Sequence, residues 1–77
     1  MTPTEIANGL SEGQRRAMLS AEADGCLGYL FIRWWQTSGP TMRALRRRGL
    51  GSTVWSGLIL TPLGLAVRAH LLQEPHP

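Results

Sequence analysis

Residues 41–67, TMRALRRRGLGSTVWSGLILTPLGLAV, read as a helix, a β-hairpin and a second helix. The first helix is opened by the preceding QTSGP. Ser38 or Gly39 can cap it, and Pro40 suits its first turn. Met42 and Leu45 point one way, with Thr41 beside them. At about 100° per residue, Arg43, Arg46 and Arg47 spread over roughly 100° on the opposite side, and Arg48 turns toward the flank. Gly49 fits the left-handed position after the helix, and Leu50 can fold back on Leu45. Four of the chain's eight cationic side chains therefore fall within six residues, and none of the eight is lysine. Part of this run can serve the helix end, where the dipole favours cations by a few tenths to about 1 kcal/mol. The rest is a cationic face.

Downstream, STVWSGLIL spells a hairpin. Thr53–Trp55 and Leu58–Leu60 are the expected strands, with Ser56-Gly57 at the turn. Thr61-Pro62 is an N-cap followed by proline at the first helical position. Leu63, Ala66, Val67, His70 and Leu71 then follow the 3.6-residue period, with Arg68 expected to be exposed.

Upstream, Ser11 is a candidate N-cap with Gln14 at the capping-box spacing. Leu10, Ala17, Met18 and Ala21 share one face of that helix. Glu12 and Arg16 stand four apart in the favourable order. The helix should end before Asp24-Gly25. LGYLFIRWW, residues 27–35, is aromatic, β-favouring and short, which predicts a strand. Leu30, Ile32 and Trp34 would share one face, and Tyr29, Phe31, Arg33 and Trp35 the other. Arg33 inside such a run needs a partner or an edge. Residues 1–9 read as a loose lead-in, residues 10–74 as one domain and residues 75–77 as a tail.

Size and composition narrow the function. A 77-residue chain buries only about 60% of its unfolded surface. Cys26 is the only cysteine, so no intrachain disulfide forms. Cys26, His70 and His76 lack metal-ligand spacing, so no metal and no other cofactor is expected. Cys26 reads as a small packed residue and His70 as a core or rim histidine. No acid–base pair, activated nucleophile or phosphate loop appears, which argues against an enzyme and a small-molecule substrate. Glu5, Glu12, Glu22 and Asp24 lie in the first third, and Glu74 is the only later acid. The second half is thus a cationic surface, whose partner should be nucleic acid or an acidic protein surface. Residues 49–67 are uncharged, but Ser52, Thr53, Ser56, Thr61, Pro62 and four glycines punctuate them, so no membrane span is expected. MTPTEIANGLSEGQ has neither a basic n-region nor an apolar h-region, which points to the cytoplasm.

Two of these motifs together resemble winged helix-turn-helix domains of the small bacterial and phage type. TMRALRRRGLG resembles the end of a recognition helix leading into the wing. LILTPLGLAV resembles the wing's second strand and the L-T-P-x-G helix start. The resemblance spans about residues 10–72 and implies an α+β, winged-helix-like fold in the order helix–strand–helix–β-hairpin–helix. In that family a further helix braces the recognition helix across the DNA backbone. LGYLFIRWWQTSGP stands in its place without a helical period, so the implied fold is a reduced winged helix.

The implied function is a non-enzymatic, transcription-regulator-like nucleic-acid binder of phage or prophage type. Arg43 would be nearest a base edge, and Arg46, Arg47 and Arg48 nearest phosphates. A monomer with so few phosphate contacts binds weakly, so a homodimer is expected. The alternative is a protein-interaction inhibitor of a host nucleic-acid machine, such as an anti-CRISPR protein. Arg33, Trp35 and Trp55 complete the candidate binding set. Trp34, Trp35 and Trp55 could stack on single-stranded bases, but burial is the commoner fate of such side chains.

Overall fold

Four α-helices and a four-stranded antiparallel sheet make up the described residues, 2–23 and 29–73, of the computed structural model. In chain order they are α1 (Pro3–Asn8), α2 (Glu12–Leu19), β1 (Glu22–Ala23), β2 (Leu30–Arg33), a 3₁₀ turn (Trp34–Gln36), α3 (Gly39–Arg47), β3 (Gly51–Val54), β4 (Gly57–Leu60) and α4 (Pro62–Gln73). The strands lie in the order β1-β2-β4-β3. The chain is therefore a small α+β protein. None of its described helices is long and apolar enough to cross a membrane. Cys26, the Asp24-Gly25 turn and the tail fall outside the described residues.

Local chemistry sets the helix ends. Ser11 accepts from Gln14 N while Gln14 Oε1 accepts from Ser11 N, closing the expected capping box of α2. Glu12 pairs with Arg16 at 2.7 Å on its exposed face. Ser38 Oγ accepts from Thr41 N and starts α3. Its far end closes as expected: Gly49 has φ +78, its N–H bonds Arg46 O, and Leu50 N–H bonds Leu45 O. That double bond pattern is a Schellman end, and Leu50 is fully buried by it.

The lead-in expected over residues 1–9 is not loose from Thr2 onward. Thr2 caps Pro3–Asn8, with proline in the first turn, and Ile6 and Ala7 enter the core. Two cations satisfy the carbonyls at its C-terminal end. Arg48 Nη2 donates to Gly9 O at 3.2 Å, and Arg15 Nη1 reaches Ala7 O at 3.5 Å. α2 ends at Leu19, earlier than the apolar stripe suggested, and Glu22–Ala23 instead pair with Phe31 and Leu30.

Register assigns the sheet faces, because residues directly opposite each other point the same way. Ile32, Leu58 and Thr53 form one row, and Glu22, Phe31, Ile59 and Ser52 the next. Ile32 and Leu58 are fully buried with Met18, Met42, Leu45, Leu50, Val67 and Leu71 in a single core. α4 lies on α1, α2 and β4, while α2 packs on α3. Phe31 is also buried but stands outside that core, on the opposite face.

The hairpin register corrects the sequence-based assignment by one residue. Val54 pairs with Gly57, leaving Trp55-Ser56 as the two-residue turn. Gly57 is a strand residue opposite Arg33. A Cβ on it would stand 2.0 Å from Ile32 O. The glycine meets both a close approach of β4 to β2 and a backbone with φ +156 directly after the turn.

Candidate functional site

Arg43, Arg46 and Arg47 share the exposed face of α3, opposite buried Met42 and Leu45. The helical period that buries those two side chains presents the three guanidiniums together, around a pocket of about 210 Å³. Arg43 lies back along the helix: its Nη1 is 3.5 Å from where a Cβ on Gly39 would stand. Among the described residues, no carboxylate pairs with any of the three. Arg48 is not brought into this group. It faces the flank and ties α3 to the end of α1 through Gly9.

A second group forms where β2 meets the hairpin tip. Arg33 Cζ lies 4.7 Å from the Phe31 ring centroid and 5.5 Å from that of Trp35. Of the Tyr29, Phe31 and Trp35 rings expected on its face, Arg33 thus meets Phe31 and Trp35, and the charge finds its partners in these two aromatic rings. Trp34 Nε1 donates to Trp55 O at 2.6 Å and closes the 3₁₀ turn onto the hairpin tip. The turn itself is fixed by Gln36, whose Oε1 accepts from Arg33 N at 2.7 Å and whose Nε2 donates to Ser20 O at 3.1 Å.

The burial expected for the tryptophans is not what this end of the sheet provides. Trp34 is 41% exposed, Trp35 76% and Trp55 93%. The reason is topological. Helices cover the inner face of the sheet, Trp34 and Trp35 leave the strand in the 3₁₀ turn, and Trp55 occupies the tip itself. The one-residue hairpin shift moves Trp55 from a strand into that tip.

One other side chain differs from expectation. Arg68, expected in solvent, is half-buried, and its Nε lacks a hydrogen-bond partner. His70 is half-buried on α4, as a rim position implies. Among the described residues, no group of three or more His, Cys, Asp or Glu side chains could hold a metal ion.

Chemically, the α3 face offers many fixed N–H donors to a phosphate or carboxylate. The tryptophan end offers flat apolar area edged by a cation. β3 has four residues, so it spans roughly 13 Å between the base of the hairpin and its tip at about 3.3 Å per residue. Comparison with known proteins adds nothing to assign the site: no family model, no curated protein and no solved structure matches this chain.

Proposed function

We propose that this chain is a non-enzymatic, winged-helix-like binding protein that lays α3 against duplex DNA through Arg43, Arg46 and Arg47. The observation that carries the reading is the set of three guanidiniums, open on one helix face with no carboxylate paired to them among the described residues. The element order supports it, since α3 runs directly into a β-hairpin and then a helix begun by Thr61-Pro62. α2 packs on α3 and offers the bracing that the 3₁₀ turn immediately before α3 does not. Arg43, nearest the N-terminus of α3, would approach a base edge, while Arg46 and Arg47 would meet phosphates.

Binding to a labelled duplex, measured by fluorescence anisotropy over a salt series, tests this. Two phosphate contacts, from Arg46 and Arg47, predict a slope of log K against log salt of about −2. The Arg43→Ala/Arg46→Ala/Arg47→Ala variant should bind at least about tenfold more weakly at low salt, with a slope near zero. Arg48→Ala should leave most of the slope in place, because Arg48 serves the α1 end. Wild-type protein that ignores DNA at low salt would rule the reading out and favour an acidic protein partner. So would a triple variant that binds as well as wild type.

A further inference from the structure

The tryptophan end has no structural task that explains its composition. Trp35 and Trp55 are largely solvent-exposed, and neither belongs to the core. Exposed apolar area concentrated in this way marks a contact surface. Its details select the partner. Arg33 is stacked on Phe31 and Trp35 and has no carboxylate partner among the described residues. The surface therefore pairs flat π-faces with a cation that is already aligned. A ligand that is both flat and anionic satisfies both features, and unpaired nucleotides are such a ligand. A purely apolar occupant would leave Arg33 unpaired in the contact, and a carboxylate-bearing peptide would leave the indole faces without stacking partners.

Order at this end adds a second argument. The Trp34 indole holds the Trp55 carbonyl, and the Gln36 side chain holds the turn that carries Trp34 and Trp35. The backbone beneath the rings is thus fixed before any ligand arrives, which lowers the ordering cost of stacking. The molecule is only 32 Å in its longest extent, which bounds the span that a duplex with an overhang must bridge between α3 and the cluster.

We infer that Trp35 and Trp55, with Arg33, stack on unpaired bases of DNA, so that the preferred ligand is a duplex bordered by a single-stranded segment. This inference rests on the proposal that α3 binds duplex DNA. A B-form major groove admits a helix, whereas the deep, narrow one of A-form RNA does not, and that makes DNA the partner here.

The test compares three probes at one salt concentration: a plain duplex, the same duplex with an oligothymidine overhang, and oligothymidine alone. Wild type should bind the overhang probe about 5- to 150-fold more tightly than the plain duplex for each base stacked. Its intrinsic tryptophan fluorescence should be quenched by the overhang and not by the plain duplex. Trp35→Ala/Trp55→Ala should lose that preference and keep its affinity for the plain duplex within about twofold. Both side chains are exposed, so an unchanged thermal melt is the accompanying control. The arginine triple variant should weaken on both duplex probes.

The outcomes separate the two claims. Equal binding of plain and overhang duplex by wild type overturns the stacking inference and leaves the α3 reading standing. No binding to any probe overturns both. Equal weakening of both duplex probes by the tryptophan variant also overturns the inference, because the rings would then not discriminate unpaired bases. So would light scattering that finds a dimer which this variant dissolves, since the cluster would then be a self-association surface.

Discussion

The two ends of the β3–β4 hairpin are held by different means. At its base, three elements converge on Gly49 and Leu50. Thr61 N–H donates to Leu50 O at 3.1 Å, and Thr61 Oγ1 donates to Gly49 O at 2.7 Å. The same Oγ1 accepts from Gly64 N and starts α4. Leu50 itself is fully buried, and Gly64 lies against its carbonyl. At the tip, by contrast, one indole N–H holds one backbone carbonyl, and Trp55 stands in solvent. The base spends its side chains on the joint between α3, the sheet and α4. The tip leaves its largest side chain free for something outside the chain. Stability should therefore reside at one end and binding at the other.

Gly64→Ala is the sharpest attack on the base. In an unhindered helix interior this substitution stabilises by up to about 1 kcal/mol. Here the new Cβ would stand 2.0 Å from Leu50 O. Backbone must move, and with it the bonds that Thr61 makes to Gly49 and Leu50. The expected cost is at least about 3 kcal/mol, a drop of roughly 12 °C or more in Tm for a chain this size, or outright failure to fold. A neutral or raised Tm would mean that α4 does not rest on the Leu50 carbonyl.

Thr61→Ala probes the same joint more gently. It removes the N-cap acceptor for Gly64 and the donor to Gly49 O, and should cost about 1–2 kcal/mol in urea denaturation. Thr61→Ser keeps the oxygen and should recover most of that loss. If serine fares no better than alanine, the hydroxyl is not what holds the base together.

The contrast between base and tip also explains what could be read from the sequence. α3 was legible because each of its ends is a local device: the Ser38 cap, Pro40 in the first turn, Gly49 after the last. The start of α4 was legible for the same reason. Thr2-Pro3 carries the same signal as Thr61-Pro62, yet it opens a helix of only six residues. So short a helix has no period of its own and is held by packing on α4 and by Arg48 at its end. β1 was not legible at all, since two residues become a strand only through pairing with Phe31 and Leu30. Gly57 misled because a turn glycine and a close-approach glycine look alike in sequence. Its neighbour at the turn, Trp55, was displaced from strand to tip by that single step. The arginine face could be drawn from periodicity alone. The exposure of the tryptophans could not, because it depends on which face of the sheet the helices cover.

Trp55→Ala is the smallest expected change in stability and the most direct test of the comparison. A tryptophan in a core would cost about 3–5 kcal/mol on truncation. Trp55 accepts the Trp34 bond through its backbone carbonyl, which alanine retains, and the residue is 93% exposed. The variant should therefore unfold within about 0.5 kcal/mol of wild type. Trp34→Phe, which removes the indole donor while keeping a ring, should cost more than that, about 0.5–1.5 kcal/mol. The order of these two variants carries the argument. If losing the exposed ring costs more than losing the bonded N–H, the Trp55 indole is packed in solution, the tip is a second structural joint, and it is no longer free to receive a base.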